Sequence, residues 1–130
     1  MSARIVIADD EPDLLRLVSI TLTRHGYEVL PATAGDAALA LIKQERPDMA
    51  ILDISMPGMT GLEVMRAMAG DPDTAHIPVL ILSASGQAAN VLAGGELGVR
   101  SYVLKPFSPI DLIQRVSTIL ESRGESARRH

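Results

Sequence analysis

Apolar residues fall into two kinds of pattern along the chain. Four runs, Ile5–Ala8, Met49–Leu52, Val79–Leu82 and Tyr102–Leu104, are continuous, as strands buried on both faces of a parallel sheet should be. A fifth, Tyr27–Leu30, alternates apolar and polar and reads as an edge strand. Between these runs apolar residues recur at helical spacing: Leu14, Leu15, Leu17, Val18 and Leu22; Ala37, Ala38, Leu41 and Ile42; Leu62, Val64, Met65 and Met68; and Ile110, Leu112, Ile113, Val116, Ile119 and Leu120. The order predicts β-α repeated five times. Right-handed crossovers then place helices on both faces of one doubly wound parallel sheet, an α/β fold.

Breakers and caps agree with these elements. Pro12 and Asp13 suit a helix start, with an acid near the positive end of the helix dipole, and His25-Gly26 closes that helix with a glycine just past its end. Pro47, Pro78 and Pro109 fall at element boundaries, where a missing N–H is tolerated. From Glu121 onward the sequence is polar. One domain over residues 1–121 is therefore expected, with residues 122–130 as a polar tail or the start of a linker.

Composition narrows the function. With 47% hydrophobic and 22% charged residues in 130, the chain has enough apolar material for a core, but that core is aliphatic: Tyr27, Tyr102 and Phe107 are the only aromatic residues. Few rings to stack on bases and a formal net charge of −4 argue against direct nucleic-acid binding. The absence of cysteine removes disulfides, thiolate catalysis and thiolate zinc sites together. His25, His76 and His130 offer no metal-binding pair. No apolar run approaches the ~20 residues of a membrane helix, and no signal peptide follows Met1, so a cytoplasmic protein with no membrane partner is expected.

The polar residues that follow each buried run carry the chemistry. Ile5–Ala8 ends in Asp9-Asp10, Met49–Leu52 in Asp53, Val79–Leu82 in Ser83 and Tyr102–Leu104 in Lys105. All lie on the carboxyl edge of the sheet, where open doubly wound folds bind ligands. Three carboxylates gathered there repel one another and call for a cation. A few hard oxygen ligands suit Mg2+ that keeps several waters. A lysine and a small hydroxyl beside it form a pocket for a phosphoryl group. Singly these residues have plainer readings: Asp9 and Asp10 as helix caps, Ser83 as a turn residue, Tyr102 as core. Asp53 resists such a reading, because an acid directly after Ala-Ile-Leu is costly to bury without a metal or partner.

Together, Ile5-Val6-Ile7-Ala8-Asp9-Asp10-Glu11-Pro12-Asp13, Pro47 through Asp53 to Gly61, Leu82-Ser83-Ala84 and Tyr102-Val103-Leu104-Lys105-Pro106-Phe107 closely resemble the receiver domains of two-component response regulators, over about residues 4–121. The resemblance implies a flavodoxin-like sheet of order 2-1-3-4-5. It implies that Asp53 is the phosphoacceptor, attacking a phosphohistidine on a sensor histidine kinase or a histidine phosphotransfer protein. Mg2+, with Mn2+ as a substitute, would be held by Asp10 directly, by Asp9 largely through water, by Asp53 and by the backbone carbonyl of Ser55. Lys105 and Ser83 would bind phosphoryl oxygens, and Tyr102 would turn inward as Ser83 moves. That would alter the surface of the fourth helix, last strand and last helix toward a downstream protein or an output domain outside this sequence. Ser55 and Ser85 would flank the path of the hydrolytic water and tune dephosphorylation. Glu11 and Asp13 read as solvated charges.

Three departures from common receivers bear on these roles. Serine at 83 stands in place of the more frequent threonine and loses a methyl that restricts the rotamer. Gly94-Gly95 falls inside the segment expected to hold the fourth helix, at about 1 kcal/mol per glycine relative to alanine. Arg100 stands where many receivers carry an acid, so the charged dimer face of the transcription-factor subfamily is not reproduced. Two other functions share parts of the pattern. A phosphatase of haloacid dehalogenase type needs a second acid two residues after the nucleophile, where this chain has Ser55. A flavodoxin-like electron carrier needs a glycine- and hydroxyl-rich loop where this chain has Asp9-Asp10-Glu11.

Overall fold

A computed structural model describes residues 2–84 and 99–128. Its strands are β1 (Arg4–Ala8), β2 (Glu28–Ala32), β3 (Met49–Asp53), β4 (Val79–Ser83) and β5 (Val99–Leu104). The helices between them are α1 (Pro12–Arg24), α2 (Gly35–Glu45) and α3 (Gly61–Ala69), and a C-terminal helix spans Pro109–Arg128. All strand pairs are parallel and the order is β2-β1-β3-β4-β5. The helix expected over residues 87–97 lies outside the described residues.

The continuous apolar runs follow from a sheet covered on both faces. Along β1, Val6 and Ala8 point to one side with Ala50, Leu52 and Ile81, where α2 contributes Ala38 and Ile42 and α3 contributes Val64, Met65 and Met68. Ile5 and Ile7 point to the other side with Ile51, Leu80 and Leu82, against Leu15, Val18 and Leu22 of α1 and Leu112 and Val116 of the C-terminal helix. Every second residue serves one core, so polar residues in the central strands β1, β3 and β4 are confined to their ends. Truncating one of these buried aliphatics to alanine would cost about 2–5 kcal/mol.

Three boundaries differ from the sequence pattern, and the first is β5, which begins at Val99, ahead of the apolar run Tyr102–Leu104. β2 extends to Ala32 and includes Pro31, which pairs with Ile7 in register. Proline survives there because β2 is at the edge of the sheet, where half of the strand's N–H groups need no partner strand. The C-terminal helix continues past Glu121 to Arg128, through residues without apolar periodicity. The caps of α1 match expectation: Pro12 is its first residue, and Gly26 at φ 91° carries the chain out behind His25.

Candidate functional site

The ends of β1, β3, β4 and β5 meet at one sheet edge, and each delivers a polar side chain. The backbone N–H of Asp9 donates to Ala32 O at 3.1 Å, which prolongs the ladder one residue beyond β1 and leaves the Asp9 side chain fully buried. Its Oδ1 accepts the Glu11 N–H at 2.9 Å, turning the chain into α1. Asp10, next in sequence, is exposed. Asp53, the last residue of β3, is buried, and its Oδ1 accepts the Ser55 N–H at 3.3 Å. Behind it the start of α3 presses on the backbone: the Gly61 N–H donates to Ile54 O at 3.1 Å, and a Cβ at Gly61 would collide with the Asp53 carbonyl oxygen. Only glycine lets the helix come so close.

Lys105 closes the site from the far side. Its backbone N–H donates to Ser83 O at 2.8 Å, anchoring it to the end of β4, and the Lys105–Pro106 peptide that follows is cis. Its Nζ stands 2.8 Å from Asp9 Oδ2, 3.0 Å from Glu11 Oε1 and 3.1 Å from Asp53 Oδ2. Burial pushes the Asp53 carboxyl above its ordinary range; the hydrogen bond from Lys105 opposes the rise and the charge of Asp9 adds to it. For Lys105, burial alone would favour the neutral amine, but the close carboxylates of Asp9, Glu11 and Asp53 outweigh it and hold the ammonium above its usual range.

A divalent cation fits this donor set. Asp9, Asp10 and Asp53 can each offer one carboxylate oxygen, all within 4.8 Å of one another. The ligand atoms of an octahedral Mg2+ lie no more than ~4.2 Å apart, so a small closing movement suffices. Asp9 Oδ2, moreover, is buried and aligned for no hydrogen bond despite its closeness to Lys105. Such an oxygen is an acceptor short of a partner.

Asp9, Asp10, Asp53 and Lys105 thus converge. Ser83 is buried at the end of β4, beside β5. Tyr102 pairs with Ile81 and shares its face of the sheet with Ser83, half-buried against the α2–α3 core. The exposed Ser55 sits two residues beyond Asp53. Ser85 lies outside the described residues. The sequence reading missed two contributors. Glu11, read as a solvated charge, touches Lys105; its place directly after Asp9-Asp10 was the available signal. Gly61 was noticed only as part of a run, and nothing in its spacing announces contact with Asp53.

The family model for the response regulator receiver domain matches residues 5–117. The phosphate regulon transcriptional regulatory protein PhoB of Pseudomonas aeruginosa is 37% identical over 120 residues, 92% of this chain and 52% of PhoB. Protein PilH of the same organism is 36% identical over 118 residues, 91% of this chain and 98% of PilH. This chain therefore spans about half of one relative and nearly all of the other. Among solved structures, the chemotaxis response regulator CheY4 of Vibrio cholerae superposes with a TM-score of 0.84 at 31% identity, covering 92% of this chain and 99% of that one.

Proposed function

The chain belongs to the response regulator receiver domain family of two-component signalling, and we propose that it accepts a phosphoryl group onto Asp53 from a phosphohistidine on a sensor histidine kinase or a histidine phosphotransfer protein. The observation that carries this reading is the single ammonium of Lys105, 3.1 Å from Asp53 and 2.8 Å from Asp9, at the mouth of a three-carboxylate cluster.

A carboxylate oxygen of Asp53 attacks phosphorus. As that O–P bond forms, the P–N bond to the imidazole breaks and its electron pair leaves with the ring nitrogen. The difficulty is that an anion attacks an anion, so charge on the phosphoryl oxygens must be neutralised. Lys105 supplies one fixed positive charge there, and Ser83 a hydroxyl donor. Asp9, Asp10, Asp53 and the Ser55 carbonyl would hold Mg2+, which when bound neutralises further phosphoryl charge. The Ser55 N–H holds Asp53 Oδ1, and α3 backs its main chain through Gly61, so the nucleophile is positioned before the donor arrives. Hydrolysis of the acyl phosphate reverses the charge event, with the exposed Ser55 beside the water's path.

Readout follows from the placement of Ser83 and Tyr102 on one face of β4 and β5. Movement of Ser83 toward the phosphoryl group would vacate space for Tyr102 and change the surface of β5 and the C-terminal helix. A partner protein or an output domain would read that surface, and the setting would be the cytoplasm. Among the described residues no helix is long and apolar enough to cross a membrane. Incubation with acetyl phosphate and Mg2+ is expected to add one phosphoryl mass, which Asp53→Asn abolishes. Labelling that persists in the variant would refute the assignment.

A further inference from the structure

Glu11 reaches a residue 94 positions away in the chain. It stands at the N-cap of α1, where a carboxylate ordinarily accepts from the helix's own first N–H groups. Its side chain makes no such bond. It turns instead to Lys105, Oε1 to Nζ 3.0 Å. The ammonium has three N–H donors, and Asp9, Glu11 and Asp53 stand around it within 3.1 Å. Glu11 and Asp53 take two of these N–H groups and Asp9 crowds the third, so a phosphoryl oxygen that reaches Lys105 competes with carboxylates already there. The Asp9 and Asp53 side chains are 1% and 7% exposed and that of Glu11 is 62% exposed. Glu11 is the one that water can solvate at once on release, so it is the one that yields at least cost.

We propose that Glu11 is a positioning residue acting through Lys105: it holds the ammonium while Asp53 is unmodified and competes with the incoming phosphoryl group for it. Its charge also opposes the approach of an anionic donor. Both effects restrain phosphoryl capture, so Glu11 sets how readily the site is loaded. This inference rests on Asp53 being the phosphoacceptor.

The test uses the whole chain with saturating Mg2+ and two readouts: the rate of labelling by acetyl phosphate, and the equilibrium affinity for beryllofluoride measured by calorimetry. Glu11→Gln removes the charge and keeps the shape. It is expected to speed labelling about three- to tenfold and to tighten beryllofluoride binding by a similar factor, both effects shrinking as salt is raised. Asp13→Asn removes an equal charge from the first turn of α1, at a carboxylate that is not among those around Lys105. It is expected to change either readout less than about twofold. Unchanged or slower labelling in Glu11→Gln, or an equal gain in Asp13→Asn, overturns the proposal. Asp53→Asn, run in parallel, separates the two claims: labelling that survives it removes the phosphoacceptor assignment itself, whereas a silent Asp53→Asn beside an unaltered Glu11→Gln removes only the role of Glu11.

Discussion

Lys105 Nζ stands 3.1 Å from Asp53 Oδ2 across the carboxyl edge of the sheet, and each group shifts the other's proton affinity. The lysine draws the Asp53 carboxyl down and the carboxylate holds the ammonium up. The exchange is unequal for Asp53, because burial outweighs the help from Lys105 and the neighbouring charge of Asp9 adds to the deficit. The ionised nucleophile is thus held at a cost to the fold, a cost that a cation or a phosphoryl group can relieve.

That cost has a definite sign. A carboxyl raised in the folded state binds its proton more tightly there than in the unfolded chain, so stability falls as pH rises from the ordinary carboxylate range through the raised value, and is level above it. Asp53→Asn removes the contribution. In metal-free buffer at pH 7 its unfolding midpoint is expected to exceed that of the parent by roughly 2–5 °C, and the gap should close as pH is lowered toward ~4. Circular dichroism melts across this range measure both. A midpoint below the parent's at pH 7 would show that Asp53 is not destabilising.

Cation binding should act in the same direction. A ligand present at ten times its dissociation constant and bound only by the folded state adds about 1.4 kcal/mol. Mg2+ titrated into the metal-free protein is therefore expected to raise the melting midpoint by a few degrees, and chelator to reverse it. Asp10→Asn alters an exposed side chain within the carboxylate cluster. It should melt like the parent without Mg2+ and lose most of the Mg2+-dependent gain. An equal gain in the variant would place the cation elsewhere.

Gly61 ties the nucleophile to the start of α3. A Cβ there would strike the Asp53 carbonyl oxygen and stand 3.0 Å from Ile54 Cα and 3.1 Å from the Asp53 carbonyl carbon. These are main-chain atoms, which cannot swing aside as a side chain could. Gly61→Ala is expected to cost about 1–3 kcal/mol in denaturant unfolding through overpacking. It should also slow labelling of Asp53 by more than the stability loss explains, because the strain falls on the nucleophile's own backbone. Normal stability would mean that α3 shifts freely at its first residue.

The constellation of Asp9, Asp10, Asp53 and Lys105 was legible because parallel strands impose it: whatever follows each buried run must arrive at the same edge, so order along the chain translates into proximity. The strands were legible because continuous apolar runs have few other uses at that length. β2 runs past the alternating stretch Tyr27–Leu30 and through Pro31, since a residue that breaks a central strand is harmless at an edge. The extension of the last helix to Arg128 carries no apolar periodicity, so no pattern announced it. Glu11 and Gly61 were opaque for a different reason. One depends on the direction a long side chain takes at a helix start, the other on how closely a helix approaches a main chain, and neither leaves a period in the sequence.

The start of α3 is also held locally. Thr60 Oγ1 accepts the Glu63 N–H at 3.2 Å, and the Glu63 side chain accepts the Thr60 N–H at 3.1 Å, so two N–H groups are satisfied by a reciprocal pair. Thr60→Ala removes the cap oxygen and is expected to cost about 1 kcal/mol, whereas Thr60→Ser should be nearly neutral. Adding Glu63→Ala to Thr60→Ala should cost less than the sum of the single changes, because each side chain fixes the same turn for the other. Denaturant unfolding of the four proteins gives the coupling directly. Strict additivity would mean that the two bonds act independently, and that the helix supporting Asp53 is seated by Gly61 and its core contacts alone.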